Sequence, residues 1–207
     1  MKNVTVVRHP LVQVNLTRLR DQKTPMQEFR RALSELAALM VYEATRDLAA
    51  RQVPVRTPLQ KTTGAALKRE IILVPVLRAG LGLVDAILRV IPQAQVGFIG
   101  CRRNEETLEI TTYYQNLPKK LGGYEVILLD PMLATGGSTI AAMTLLASRG
   151  ARHVRMINVL AAPEGIHEVH GKFKSLPIFT AAIDSHINER GFIVPGLGDA
   201  GDRLFGA

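Results

Sequence analysis

A single cysteine, Cys101, stands among 207 residues, so no internal disulfide is available and a reducing compartment suits the chain. Tryptophan is absent and aromatic residues make up only 5%, too few for a platform on which nucleic-acid bases stack in series. Long hydrophobic runs are missing as well. The longest uncharged stretch, residues 131–148, is interrupted by Thr135-Gly136-Gly137-Ser138-Thr139 and does not read as a membrane span. The opening ten residues lack the apolar core and small-residue cleavage site of a secretion signal. The expectation is a soluble, cytoplasmic protein with one domain over residues 1–207. Basic residues outnumber acidic ones by 26 to 18, a net charge of +8, yet they are scattered. The densest spots are the pairs Arg30-Arg31, Arg102-Arg103 and Lys119-Lys120, which argues against a nucleic-acid-binding arm and leaves open both a solvated basic surface and a field for a polyanionic partner.

Apolar residues, 47% of the chain, are enough for a sizeable core. Thr24, Pro25 and Gln27 resemble a helix start, with Thr as the cap and Pro in the first turn. Phe29, Leu33, Leu36, Ala37, Met40, Val41, Ala44 and Leu48 then recur at helical spacing and predict one long amphipathic helix over residues 24–52. Apolar runs without alternation at residues 71–77, 95–99, 126–129, 154–160 and 178–183 read as strands buried on both faces. Helical patterns at residues 81–91, 138–148 and 163–170 separate several of them. The expected fold class is therefore α/β, a mostly parallel sheet flanked by helices. Residues 101–118 contain a β-prone run, Thr107 to Tyr114, that reads as a hairpin arm or an edge hairpin. The tail at residues 191–207 is rich in Gly and Pro and is expected to be irregular.

The segment from Val126 to Thr139 carries the chemistry. A buried strand ends in Asp130, a loop of small residues follows, and a helix begins at Ser138. Ligands of open parallel sheets bind at that edge. Gly136 and Gly137 let backbone N–H groups converge on an anion, and the helix N-terminus adds partial positive charge. An acid beside such a nest repels the anion unless it faces sugar hydroxyls or a metal, so the pairing describes a ribose 5-phosphate site. No Lys lies in the loop, which excludes a Walker A motif, and the spacing does not match a dinucleotide fingerprint. His167 and His170 are three residues apart, not the zinc-binding H-E-x-x-H pattern, and read as an exposed helix face. Cys101 reads as a strand-end thiol beside Arg102 and Arg103. Met26, Met40 and Met143 read as core filler.

The loop, Asp130-Pro131-Met132-Leu133-Ala134-Thr135-Gly136-Gly137-Ser138, resembles the phosphoribosyl-pyrophosphate loop of type I phosphoribosyltransferases. Those usually have two adjacent acids, whereas Pro131 occupies the second position here, as it does in the uracil phosphoribosyltransferase branch. The blocks HPLV at residues 9–12, VLRAGLG at 76–82, RNEETLE at 103–109, AAPEGI at 161–166 and FIVPGLGDAGDRLFG at 192–206 resemble that branch too. Cys101-Arg102 and residues 51–69 depart from it. The resemblance implies transfer of a phosphoribosyl group from 5-phospho-α-D-ribose 1-diphosphate (PRPP) to uracil, giving UMP and diphosphate in pyrimidine salvage. It implies that Asp130 meets the ribose hydroxyls and that Pro131 to Ser138 form the PRPP loop, with Ala134 to Ser138 on the 5-phosphate. Arg78 and Arg103 would hold the diphosphate, and Ile193, Gly198, Asp199 and Ala200 the base. Asp199 would also touch PRPP. Mg2+ would arrive on PRPP rather than in a protein cage, GTP acts as an allosteric activator in some members, and a homo-oligomer, dimer or tetramer, is expected. An RNA-binding regulator of pyrimidine operons on the same fold is the alternative reading.

Overall fold

The computed structural model describes residues 2–103 and 110–206, the side chain of Arg103 excepted. In chain order the elements are β1 (Val4–Val6), α1 (Pro10–Arg20), α2 (Met26–Ala44), β2 (Ala50–Arg56), β3 (Lys61–Leu67), β4 (Glu70–Leu77), α3 (Leu81–Val90), β5 (Gln95–Val96), β6 (Phe98–Arg103) and β7 (Ile110–Asn116). They continue with β8 (Tyr124–Leu129), β9 (Met132–Leu133), α4 (Gly137–Ser148), β10 (His153–Ala161), α5 (Pro163–Lys172), β11 (Ile178–Ile183), β12 (His186–Ile187), β13 (Ile193–Val194) and α6 (Ala200–Phe205).

The main sheet runs β1-β11-β10-β8-β4-β6-β7, with β5 on β4 and β9 on β10. Its pairings are parallel except for β6 with β7. Period-two alternation splits its central strands between two cores. Ile71, Leu73, Ile127 and Leu129 pack with α1, α2, α3 and α6 through residues such as Leu16, Phe29, Leu36, Ile87 and Leu204. Ile72, Val74, Val76, Val126 and Leu128 pack instead with Ala142 and Leu146 of α4 and Ile166 and Val169 of α5. Both faces are covered, which is why these runs show no polar alternation. Strand order changes direction between β4 and β8: the chain goes from β4 outward to β6, then returns to the other side of β4 with β8. A crevice opens there at the carboxyl ends of the strands.

Several expectations need correction. The long helix ends at Ala44 rather than near residue 52. Thr45 turns its hydroxyl onto Val41 O at 2.7 Å, competing with the helix ladder, and β2 and β3 then form an antiparallel hairpin from residue 50. Leu48 therefore lies outside the helix. Thr24 does not cap α2: its hydroxyl donates to Arg18 O at 2.7 Å, and Pro25 occupies the cap position. Helix α1 was not foreseen; the His9 Nδ1 accepts from Leu11 N at 3.2 Å at its start. The run at residues 95–99 is two strands, β5 and β6, broken at Gly97. The tail is not irregular throughout, since it contains β13 and α6. Met40 and Met143 are buried as expected, but Met26 is 40% exposed at the first turn of α2. The hairpin of residues 101–118 is present as β6 and β7, while residues 104–109 and with them most of the RNEETLE block lie outside the described residues. No helix among the described residues is long and apolar enough to cross a membrane.

At the opposite edge of the sheet from the crevice, Arg155 at the start of β10 ties three elements together. Its guanidinium donates to Glu125 Oε1 at 2.8 Å, to Asp47 Oδ1 at 2.5 Å and to Ala44 O, the last carbonyl of α2. Arg155 and Glu125 are both buried. Arg155→Met leaves Glu125 in the interior without its cation, so unfolding stability measured in urea is expected to fall by about 3 kcal/mol or more. Activity per folded molecule should not change.

Candidate active site

Arg78 and Asp130 are brought together by the parallel pairing of β4 with β8, because each follows its strand at the crevice. The turn after β4 presses against the end of β8. A Cβ on Gly80 would sit 2.4 Å from Leu129 O and 2.7 Å from Val76 O, both backbone, so only glycine lets the turn approach so closely. The peptide between Leu77 and Arg78 is cis. The Arg78 side chain is 61% exposed and 3.8 Å from Asp202 Oδ1 of α6, itself 51% exposed. So long and solvated a pair contributes little, and the guanidinium is free to serve an anionic ligand.

Asp130 is the opposite case. It is 8% exposed, accepts from Ser138 Oγ at 2.9 Å and more distantly from Met132 N at 3.4 Å, and has no ion pair among the described residues. Burial raises its pKa to about 6, partly opposed by those two hydrogen bonds. Burial also lifts the Cys101 thiol above its ordinary value, against a lowering hydrogen bond with Thr112, and the neighbouring Asp130 charge adds to the rise. Cys101 is thus a half-buried thiol held in its neutral form.

The loop after Asp130 is pinned on both sides. Strand β9 pairs Met132 and Leu133 with Leu160 and Ala161 of β10. Gly136, in the left-handed region at φ 82°, is the cap residue of α4. Gly165 at the start of α5 packs against the loop so closely that a Cβ there would lie 2.3 Å from Ala134 O. Ala134, Thr135, Gly136 and Ser138 line a cleft with Arg78 and Asp130. Pro131 and Leu133 turn inward: Pro131 O accepts from Val159 N at 2.8 Å and Leu160 N at 3.0 Å, and Leu133 is buried in the core. Gly137 is the first residue of α4 and does not line the cleft.

A second cavity of about 1070 Å³ adjoins the first and shares Ala79, Asp130, Met132, Ala134 and Thr135 with it. Its other wall holds Ile193, Gly198, Asp199 and Ala200. Asp199 also caps α6, accepting from Asp202 N at 2.9 Å, so the cleft residue and the turn acid are one and the same. Arg103 ends β6, and its side chain lies outside the described residues.

A family model described as "Uracil phosphoribosyltransferase" matches residues 6–207. The chain belongs to that family. It is similar, at 48% identity over 206 residues, to the uracil phosphoribosyltransferase of Thermoanaerobacter sp. (strain X514), a match covering 99% of this chain and 98% of the relative. It is also similar to the solved AQ2163 protein from Aquifex aeolicus, with 41% identity, a TM-score of 0.93, and 98% and 97% of the two chains covered. The adenine phosphoribosyl transferase from Trypanosoma brucei, solved with AMP, pyrophosphate and ribose-5-phosphate, shares the fold at a TM-score of 0.61 and 14% identity, covering 92% of this chain and 88% of that one. The fold is that of type I phosphoribosyltransferases, and the family is one of glycosyl-transferring enzymes.

Within this uracil phosphoribosyltransferase fold, the β12–β13 hairpin was missed by sequence reasoning although it lines the second cavity from Ile187 to Phe192. Its signal was readable. Asn188 Oδ1 accepts from Arg190 N and Phe192 N, each at 3.0 Å, a local turn that Asn followed by Gly191 invites. His170 Nε2 meets Leu176 O at 2.9 Å, and His167 is exposed on α5.

Because burial makes ionised Asp130 costly, the native state prefers the neutral acid up to pH 6, whereas the unfolded chain ionises near 3.8. The penalty is absent below pH 3.8 and complete above pH 6. Asp130→Asn, which carries no charge, is expected to raise unfolding stability by on the order of 3 kcal/mol at pH 8. The gain should shrink through pH 5 and vanish near pH 4, as read from urea midpoints across that range.

Proposed function

We propose that this chain transfers the 5-phosphoribosyl group of PRPP to N1 of uracil, releasing diphosphate and forming UMP for pyrimidine salvage. The observation that carries the reading is a buried carboxylate with no ion pair among the described residues, beside a glycine-cradled helix N-terminus, at the crevice between β4 and β8. Family membership over residues 6–207 supports the same reaction.

In this reading the PRPP 5-phosphate rests on Ala134 to Ser138, where backbone N–H groups and the N-terminus of α4 face it. The ribose 2- and 3-hydroxyls donate to Asp130. A carboxylate that burial has stripped of water gains most from new donors, so the desolvation cost is offset when the sugar binds. Arg78, with Arg103 from the hairpin arm, holds the diphosphate through forked, charge-assisted hydrogen bonds. Breaking the C1–O bond leaves positive charge on the ribose ring and negative charge on the diphosphate; Asp130 lies beside the first and Arg78 beside the second. Such fixed charges supply most of the rate.

Magnesium suits the same donor set. Diphosphate oxygens and water would hold the ion, and Asp130, which lines the cleft, is a carboxylate it could approach. When bound, it neutralises charge on the departing diphosphate.

Uracil presents acceptor, donor, acceptor along O2, N3–H and O4, which backbone groups of Ile193 and Gly198 to Ala200 complement. Cytosine would leave a buried partner unpaired at a cost of about 1–3 kcal/mol. Asp199 faces both the base and PRPP. Assembly as a dimer or tetramer is part of the same proposal, since the β2–β3 hairpin presents Leu59 at 95% exposure.

The experiment is UMP formation from labelled uracil, PRPP and Mg2+, with cytosine, hypoxanthine and adenine in parallel and GTP in one arm. Turnover with uracil alone is the expected result; turnover with another base, or none with uracil, overturns the reading. Asp130→Asn should lower kcat/KM roughly a hundredfold, the worth of a charged acceptor. For the wild type, kcat/KM should fall as pH drops below about 6, where Asp130 takes up its proton.

A further inference from the structure

Behind the wall of the second cavity lies an ion pair that lines neither cleft. Arg20, the last residue of α1, and Asp184, which follows β11, meet through two parallel bonds: Nη2 to Oδ1 at 2.6 Å and Nη1 to Oδ2 at 2.8 Å. The Asp184 side chain is 5% exposed and that of Arg20 26%. Both partners also grip one residue of the tail. Asp184 Oδ2 accepts from Gly196 N at 2.8 Å, and Arg20 Nη1 donates to Gly196 O at 2.8 Å. The N–H and the C=O of a single residue are thus held by opposite ends of one ion pair.

The next carbonyl is held in the same manner. Arg203 of α6 donates to Leu197 O at 2.9 Å and to Asp21 O at 2.7 Å, while its guanidinium stacks 4.3 Å above the Phe29 ring. The carbonyls of residues 196 and 197 are therefore both turned toward arginines, just before Gly198, Asp199 and Ala200 reach the cavity. This matters for recognition. A backbone carbonyl turned toward a base attracts the amino group of cytosine and repels a carbonyl oxygen of uracil. Holding these two carbonyls away biases the segment toward N–H donors.

We propose that Arg20 and Asp184 are a positioning pair that sets base specificity by clamping Gly196 from behind. The proposal rests on the uracil-transfer reading given above and goes beyond it, because neither residue lines either cleft. A pair that merely holds the fold together would lower stability without favouring one substrate over another. A positioning pair acts on uracil more than on PRPP, since only Asp199 of the clamped tail faces PRPP and the PRPP loop is pinned separately by β10 and α5.

The test compares wild type, Arg20→Met, Arg20→Lys and Arg155→Met in the full-length protein. KM for uracil and for PRPP, the uracil-to-cytosine ratio of kcat/KM, and the melting temperature are read for each. Arg20→Met should raise KM for uracil about tenfold or more, the worth of a lost charge-assisted hydrogen bond. KM for PRPP should rise by no more than about threefold, because most of its contacts lie outside the clamped tail, and the uracil-to-cytosine ratio should fall. Arg20→Lys keeps the charge but not the fork, so it should lie between wild type and Arg20→Met; it carries the test alone if Arg20→Met does not fold. Arg155→Met should melt earlier with both KM values unchanged. A KM for uracil that stays at the wild-type value in the Arg20 variants, or one that rises in step with KM for PRPP, overturns the proposal. A wild type that makes no UMP overturns the uracil-transfer reading first, and this proposal with it.

Discussion

Parallel pairing of β4, β8 and β10 is the constraint on which everything else rests. Parallel neighbours must be joined by crossovers, so helices cover both faces and every carboxyl end points to one edge. Arg78, Asp130 and the AAPEGI segment leave three adjacent strands at that edge. The change of strand order between β4 and β8 then opens the crevice in which the first two meet. No side chain needs to be pulled across the molecule to build the site; lateral backbone hydrogen bonds already set it in place.

The fold treats its buried carboxylates in two ways. Glu125 is neutralised by Arg155 and Asp184 by Arg20, and each of these pairs is also tied to backbone: Ala44 O for the first, Gly196 for the second. A buried pair of this kind holds its elements in register and is costly to break, though not strongly stabilising in itself. Asp130 has no ion pair among the described residues, and its hydrogen bonds there come from a hydroxyl and an amide. Burial of this carboxylate costs stability at a position that lines the cleft. The cleft around it keeps Arg78 solvated, so one charge is poised by desolvation and the other by exposure.

Two separately supported halves make up the candidate site. The loop from Asp130 to Ser138 is closely packed, with glycine contacts to its backbone and the β9–β10 pairing beside it. The wall facing it is built from the β12–β13 hairpin and the start of α6, short elements that cannot hold themselves in place. Asn188, Arg20, Asp184 and Arg203 supply what the local backbone lacks. The same division explains why sequence reasoning succeeded unevenly. Strand, acid, glycine loop and helix occupy one continuous stretch, and each is legible in local residue types. Arg20 and Asp184 are 164 residues apart, and neither type nor spacing marks them as partners.

Sequence alone determined the α/β class, the buried strands, the helices α3, α4 and α5, and the loop from Asp130 to Ser138, because each is written in periodicity or in contiguous residue types. It overran the end of α2 because Leu48 continues the apolar spacing; only the β2–β3 pairing and the seizure of Ala44 O by Arg155 show where the helix stops. It also read the tail as irregular, since Gly and Pro signal breaks without saying what lies between them. Tertiary structure alone decided which strands are neighbours, which buried acids are paired with Arg20 and Arg155, and which arginines hold the tail. Those outcomes depend on contacts between residues far apart in the chain, and their energies exist only once the two cores have formed around the sheet.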